Sequence, residues 1–194
     1  MPLIVKVASI QKERMQVYFI DNDEYFKLEE SFDKDGELYA DNDERCIFFA
    51  KGIVETVKKL NWSPDLIHIQ GWLGALLPLY LQTYCKEEPI FQHTKVITCF
   101  LREPFTGSLN EGILEKIAFD EITPDQAPEL KEPNSMNLIK LASRYSDGIT
   151  TLRGTLPQEA ISYITSLGKP FLCEENIETT CKSYPQFYKE VMGK

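Results

Sequence analysis

The segment 41–69 constrains the fold most, because an amphipathic helix and an apolar strand follow each other there. Asp41 or Asn42 can cap the helix at its acidic start, and the lysines at its end complement the helix dipole. The apolar side chains recur every three or four residues: Ile47, Phe48, Ala50, Ile53, Val54, Val57 and Leu60. Pro64 ends the helix, and the short run 66–69 predicts an interior strand of a sheet.

Strands and helices alternate through the rest of the chain as well. Periodicity and Gly/Pro signals predict a helix at 73–84, a strand at 95–100, helices at 136–145 and 157–167, strands at 147–151 and 168–172, and a final helix at 174–192 that is interrupted near Pro185. We expect Pro78 to kink the first of these helices. This alternation predicts an α/β fold, a three-layer Rossmann-like domain with a mostly parallel sheet, and we expect residues 1–194 to form a single domain.

Two stretches stand outside this alternation. The runs 3–8 and 15–20 are rich in β-branched and aromatic residues, and they either pair as a hairpin or lie apart in one sheet. Residues 103–135 contain four prolines among many acids, which predicts loops and short helices. In an open parallel sheet, ligands bind at the carboxyl ends of the strands, so we expect the functional site there.

Charge and cysteine content exclude several classes of function. The net charge is −9 without a cluster of Lys or Arg, so the chain lacks the basic surface that nucleic acid or an anionic membrane requires. No apolar run reaches the roughly 18 residues of a membrane span, and the first residues lack the features of a signal peptide, so we expect a cytoplasmic protein. The five cysteines form no C-x-x-C pair and only two histidines are present, so we expect neither a disulfide framework nor a metal site.

One long segment resembles a known family. The run DNDERCIFFAKGIVETVKKLNWSPDLIH at 41–68, followed by GWLGALLPLYL at 71–81, resembles the N-terminal catalytic domain of bacterial glycogen and starch synthases. These enzymes are glycosyltransferases of the two-domain GT-B architecture. Weaker likeness extends to 17–22 and 141–149, whereas the middle of the chain is poorly matched. The resemblance implies the fold of a GT-B N-terminal domain and a role in the transfer of glucose from ADP-glucose to an α-1,4-glucan, without a cofactor.

The resemblance also implies a set of substrate-binding residues. The positions that match the family's motifs are Asp41, Asn42, Arg45, His68 and Trp72. Each of them has a structural role as an alternative. The first two can cap a helix, the arginine can pair with neighbouring acids, and the histidine and tryptophan can serve packing. The resemblance names no catalytic residue that this chain retains.

Three departures from the family bear on catalysis. The family opens with a K-x-G-G loop in its first βα unit, and nothing of that kind precedes Leu3. Its cleft histidine and asparagine, at the end of the strand 95–100, correspond to Leu101 and Arg102, and its acid in H-x-x-D-W corresponds to Gly71. The chain also matches one domain of a two-domain enzyme. We therefore expect no glucose transfer by this chain alone, an α-1,4-glucan as ligand, and a partner chain that supplies the second domain.

Two alternatives remain open. The chain can be a degenerate, non-catalytic module of the same fold that binds glucan or another protein. It can also be a flavodoxin-like or receiver-like domain, in which Asp21, Asp23 and Asp65 would gather around Mg²⁺. Against the second alternative, Asp65 precedes its strand rather than following it.

Overall fold

The computed structural model describes residues 2–26, 37–101 and 104–194 of the chain. Its strands and helices, in chain order, are β1 (Ile4–Ile10), β2 (Met15–Asp21), α1 (Asn42–Lys59), β3 (Leu66–Gln70), α2 (Leu77–Gln82), β4 (Lys95–Phe100), α3 (Ile113–Ala118), α4 (Ser135–Tyr145), β5 (Gly148–Leu152), α5 (Gln158–Ser166), β6 (Phe171–Glu174) and α6 (Ile177–Met192). Strands and helices alternate from α1 onward, which confirms the predicted α/β class.

The centre of the fold is a four-stranded parallel sheet in the order β3-β4-β5-β6. Each strand pairs with the next one along the chain, so each connection crosses from the end of one strand to the start of its neighbour. Connections of this kind are right-handed almost without exception, which places the connecting helices on one common face. The parallel sheet confirms the Rossmann-like prediction.

Helices cover both faces of the sheet, and each face has its own apolar cluster. Ile69 and Ile149 lie in the larger cluster, together with buried residues of α1, α2, α4 and α5. Ile97 points to the opposite face, where it packs with Phe187 and Val191 of α6. The sheet therefore lies between a thick helical layer and a single helix, as expected for three layers.

The first two strands form a hairpin that is separate from the main sheet. β1 and β2 pair antiparallel along their whole length, from Ile4 opposite Asp21 to Ile10 opposite Met15. The hairpin packs on α1 where Gly52 leaves room, since a Cβ atom there would lie 3.1 Å from Cγ2 of Ile20. An isolated two-stranded hairpin is at best marginally stable in water, so this packing contributes to its stability.

Two proline positions differ from the sequence-based expectation. The helix expected at 73–84 divides into a short 3₁₀ helix, Trp72–Gly74, and α2, in which Pro78 occupies the first turn. A first-turn proline interrupts no helical hydrogen bond, so no kink is needed. Helix α6 continues through Pro185 without the expected interruption. The carbonyl that loses its helical partner belongs to Cys181, an exposed residue.

Close contact between α6 and the sheet depends on Gly148. A Cβ atom at this position would lie 2.7 Å from Cγ2 of Val191 and 3.2 Å from Cζ of Phe187. We expect Gly148→Ala to lower the free energy of unfolding by about 1–3 kcal/mol because it overpacks this contact. Denaturant titration of Gly148→Ala in the wild-type and Val191→Ala backgrounds tests whether overpacking is the cause. If the loss of unfolding free energy is as large in the Val191→Ala background, overpacking against Val191 is not the cause.

Candidate functional site

A cavity of about 400 Å³ opens at the carboxyl ends of β3, β4 and β5. Its lining residues are Gln70, Gly71, Trp72, Leu73, Ala75, Phe100, Leu101, Pro104, Phe105, Ser135, Leu138, Ile139 and Leu156. This is the edge of the sheet at which open α/β domains bind their ligands. The cavity therefore lies where the sequence predicts the functional site.

The turn after β3 shapes the floor of the cavity. Gly71 has a φ of 83° and a ψ of 168°, a combination that is open essentially to glycine alone. Its N–H donates to the carbonyl oxygen of Cys99 at 3.1 Å, which ties the turn to β4. No atom lies within 4 Å of the place where a Cβ of Gly71 would be. Any side chain at this position, including the acid expected from the family, would strain this backbone conformation.

Two aromatic side chains form one wall of the cavity. The ring centroids of Trp72 and Phe105 lie 5.0 Å apart, with an angle of 59° between the ring planes. Phe105 is buried, whereas Trp72 is half-buried. An indole that is held by a neighbouring ring and partly open to the cavity can pack against the apolar face of a sugar ring.

The polar groups of the cavity are few and uncharged. Gln70 enters from the end of β3, and Ser135 enters from the first turn of α4. Asn134 caps that helix, because its Oδ1 accepts the N–H of Asn137 at 2.9 Å. Among the described lining residues no side chain is ionisable. The described lining can therefore donate hydrogen bonds to hydroxyl groups and accept hydrogen bonds from them, but its side chains include no acid, base or cation.

One position from the comparison with the family's cleft lies at the cavity. Leu101 lines it, so an apolar side chain stands where the family has histidine. Arg102, which corresponds to the family's asparagine, lies outside the described residues. The described part of this strand end cannot donate a side-chain hydrogen bond to a sugar.

Three of the residues predicted to bind substrate lie together at the start of α1. Asp41 precedes the helix, and its carboxylate accepts a hydrogen bond from Nε of Arg45 at 3.0 Å. The guanidinium of Arg45 also lies 4.9 Å from the centroid of the Tyr39 ring. Asn42 is fully buried. None of these three side chains lines the cavity at the sheet edge.

The expectation that Asp41 caps α1 with its side chain is wrong. Its backbone, with φ −97° and ψ 9°, is not in the extended conformation in which a side chain can reach the free N–H groups of a helix. The carboxylate is bound instead by Arg45, one turn later. The structural alternative for Arg45, pairing with a neighbouring acid, is what the structure contains.

His68 faces the opposite side of the sheet from the main core. Its Nδ1 shares a hydrogen bond of 2.7 Å with the hydroxyl of Tyr188, and the rings of Tyr184 and Tyr188 pack edge-on against it. It lines a smaller cavity of about 270 Å³ under α6, together with Gln70 and Leu101. Burial lowers the pKa of His68, so the ring is neutral at pH 7.

The predicted residues therefore fall into three places: the start of α1, the α6 side of the sheet, and the sheet-edge cavity. Of the five, Trp72 alone lines that cavity. Sequence reasoning missed Gln70, Phe105 and Ser135. The position of Gln70 directly after an apolar strand is a usable signal. Phe105 lies in the stretch that the resemblance matches poorly, about 100–134, and Ser135 directly follows that stretch.

The buried imidazole makes stability depend on pH. The pKa of His68 in the folded protein lies below the ordinary 6.5. The neutral ring therefore makes its full contribution to the unfolding free energy above pH 6.5, and this contribution is lost as the pH falls through the lowered pKa. We expect His68→Gln to reduce the fall in unfolding free energy between pH 7.5 and pH 5, by at most about 1.4 kcal/mol per pH unit. Denaturant titrations at both pH values measure this. The exposed His93 gives the control His93→Gln, and equal pH dependence in the two variants would contradict the assignment.

The described residues contain neither a membrane-spanning helix nor a cluster of possible metal ligands. Over the ranges 2–26, 37–101 and 104–194, no helix has both the length and the hydropathy to cross a bilayer. Within the same ranges, no three His, Cys, Asp or Glu side chains come together as possible metal ligands. Asp21, which the receiver-like alternative would use, lies on the hairpin and pairs with Lys6.

Comparison with known proteins gives one family. The family model described as "Starch synthase catalytic domain" matches residues 1–168. Proteins described as glycogen synthase are similar over much of the chain. The glycogen synthase of Chlorobium limicola is 30% identical over 77% of this chain and 30% of its own length. The glycogen synthase of Elusimicrobium minutum is 31% identical over 74% of this chain and 30% of its own length.

A more distant relative, the glycogen synthase of Aeromonas salmonicida, is 26% identical over 84% of this chain and 33% of its own length. The chain thus spans about 30% of the length of the curated relatives that it matches. No solved structure matches the chain significantly.

Proposed function

The chain belongs to the starch synthase catalytic domain family, and from this premise we propose that it acts in the synthesis of α-1,4-glucan. In this proposal it is the glucan-holding part of a glycosyltransferase of the GT-B architecture. The reaction is the transfer of glucose from ADP-glucose to a growing glucan, without a cofactor. The proposed setting is cytoplasmic and bacterial, without nucleic acid or membrane as partners.

The observation that carries the proposal is the sheet-edge cavity with its aromatic wall. A glucose unit presents apolar C–H faces and a rim of hydroxyl groups. Trp72 and Phe105 offer a surface for the faces, and Gln70 and Ser135 offer hydrogen bonds for the rim. A cavity of about 400 Å³ falls within the usual range for small-molecule sites and has room for a short stretch of glucan.

The same lining is poorly suited to the donor. The diphosphate of ADP-glucose carries negative charge, and such groups are usually bound by Arg, Lys, a metal or a helix N-terminus. The described lining contains no cation, and it contains no acid or base for the transfer step. In this proposal, leaving-group stabilisation comes from a second domain across the cleft, whichever polypeptide carries it. We propose a partner chain as one source.

A second candidate function is favoured by one specific observation. Gly71 and Leu101 both occupy family positions that would otherwise place polar side chains at the cavity. A protein that keeps the aromatic wall and loses these groups suits a non-catalytic module that binds glucan or another protein. The two candidates share glucan binding and differ in whether transfer can be restored.

Calorimetric titration with a linear maltooligosaccharide tests glucan binding. We expect saturable binding that Trp72→Ala weakens at least about fivefold, since an aromatic contact is worth roughly 1 kcal/mol beyond its buried area. Phe119→Ala is the control, because Phe119 is an aromatic residue that is 89% exposed and is not among the residues that line the cavity. Equal affinity of Trp72→Ala and Phe119→Ala for the maltooligosaccharide would show that the glucan does not bind in the cavity.

An assay of glucose incorporation from ADP-glucose separates the two candidates. The chain alone should incorporate none. Activity after addition of the second domain of a glycogen synthase would support the catalytic candidate, and Trp72→Ala should then reduce it. Saturable glucan binding without transfer under any of these conditions would support the non-catalytic module.

A further inference from the structure

The hairpin of β1 and β2 forms a two-stranded sheet of its own. The pairing runs from Ile4 opposite Asp21 to Ile10 opposite Met15 in a continuous register, without a bulge. In the described parts of the chain, no third strand pairs with either of these two strands. The outer edge of β1 therefore presents backbone N–H and C=O groups with which another strand can pair.

The strand β1 lacks the features that usually protect an edge strand from association. It is seven residues long, contains no proline, and carries one charged side chain, Lys6. All of its residues except Val5 are exposed, and three of these are large and apolar: Ile4, Ile10 and Val7, which is 57% exposed. A long apolar edge of this kind is a site at which a further strand can be added.

We propose that two copies of this chain associate through this edge, with β1 of one copy antiparallel to β1 of the other. The two hairpins then form one four-stranded sheet in the order β2-β1-β1-β2. A two-stranded hairpin is marginal in water, whereas three or more strands with an apolar face form a more stable sheet. The second copy thus supplies a neighbour for the open edge of each hairpin.

The sequence of β1 is self-complementary in one register. A twofold axis perpendicular to the sheet keeps each face of the hairpin on the same side in both copies. With this axis at Val7, all seven residues pair. Ile4 then lies opposite the partner's Ile10, so apolar side chains meet. The charged Lys6 lies opposite the partner's Ala8. With the axis at Lys6, two lysines would lie opposite each other, which is unfavourable.

The distribution of charge also favours a contact through the hairpin. The chain has a net charge of −9, so two copies repel each other. Residues 1–20 contain three cations, Lys6, Lys12 and Arg14, and one acid, Glu13. Their net charge is therefore +2, which leaves −11 on residues 21–194. A contact through the hairpin involves a part of the chain without excess negative charge.

Sedimentation equilibrium of the whole chain tests the proposal. A seven-residue strand edge is smaller than a standard interface of about 1,600 Å², so we expect a weak dimer with a dissociation constant between about 10 μM and 1 mM. Val7→Lys and Val7→Glu should each weaken the dimer at least about fivefold, because like charges would then lie opposite each other at the axis. Mixing equal amounts of the two variants should restore the dimer, since opposite charges then meet.

The matched controls are Ile177→Lys and Ile177→Glu. Ile177 lies on α6 and is 56% exposed, so these substitutions change the net charge equally without touching the hairpin. Both should dimerise like the wild type.

The mixing experiment separates a specific register from misfolding, because two misfolded variants would not restore each other. A chain that stays monomeric up to about 1 mM would overturn the proposal. So would a dimer that Val7→Lys leaves unchanged, or a mixture that dimerises no better than the separate variants. None of these results depends on glucan binding, so the proposed function can fail while this proposal holds.

Discussion

Replacement of Lys116 by methionine lowers the free energy of unfolding by about 3–5 kcal/mol, the usual cost of removing one partner of a buried ion pair. The Nζ atom of Lys116 lies 2.6 Å from Oδ2 of Asp43 and 2.6 Å from Oε1 of Glu44. The side chain of Asp43 is fully buried, and its Oδ1 has no hydrogen-bond partner among the described residues. Without the lysine, a charged carboxylate would remain in the interior with no compensating cation.

Denaturant titration measures this effect. Lys182→Met is the matched control, because Lys182 pairs with Glu178 on an exposed helix surface, where such a pair contributes at most about 0.5 kcal/mol. Asp43→Asn in the Lys116→Met background should recover part of the loss, since it removes the unpaired charge. A cost in Lys116→Met no larger than in Lys182→Met would show that Asp43 does not depend on this partner.

The same cluster limits the pH range of full stability. The hydrogen bond from Lys116, and then that from Tyr25, lowers the pKa of Glu44 below its ordinary 4.5, so this contribution is complete above pH 4.5 and is lost as the pH falls further. Burial acts to lower the pKa of Lys116, but the hydrogen bonds to Asp43 and Glu44 together raise it above 10.5. Its contribution is therefore complete below pH 10.5 and is lost above it.

Tyr80→Ala is expected to destabilise the protein by a similar amount, about 3–5 kcal/mol. Tyr80 is the largest of the fully buried side chains in the described parts of the chain, so alanine leaves a cavity in the main apolar cluster. Its hydroxyl also donates to Oδ2 of the buried Asp120 at 2.7 Å. Burial raises the pKa of Tyr80, so the hydroxyl keeps its proton and remains a donor.

Tyr80→Phe separates the two contributions. It keeps the ring and removes the hydroxyl, so we expect a smaller loss of about 1–3 kcal/mol as Asp120 loses one partner and keeps its ion pair with Lys51. Tyr84→Phe is the control, because Tyr84 is exposed and its ring centroid lies 5.9 Å from that of Tyr80. Thermal unfolding of the three variants measures the difference. If Tyr80→Phe is as stable as Tyr84→Phe, the hydrogen bond from Tyr80 to Asp120 does not contribute to stability.

Local patterns predict the order of the helices and strands well. The helix and strand at 41–69 are α1 and β3 because their signals are local: apolar spacing, charges at the helix ends, and Pro64. The 3₁₀ turn at Trp72–Gly74 was not predicted. Its form depends on Gly71, whose positive φ is set by the bond to Cys99 on the next strand. The capping role of Asp41 failed for a related reason, since Arg45 competes for the same carboxylate.

The site could be predicted only in part. The sheet edge follows from the parallel topology, and Trp72 follows from its position after β3. To predict the face on which His68 lies, one must know which helix covers each face of the sheet. The helix that covers this face is α6, which comes from a distant part of the sequence. Phe105 and Ser135 reach the cavity through long-range packing that no local pattern reports.

The placement of α6 has a consequence for biosynthesis. Every strand of the parallel sheet precedes this helix in the sequence, and the described part of one sheet face is covered by it. On the ribosome, Ile97, Leu66 and Leu172 remain open to solvent until residues 177–192 have emerged from the exit tunnel. The nascent chain can therefore pass through a stage in which all four strands of the sheet have been made and one apolar face is bare, and such exposed surface favours aggregation.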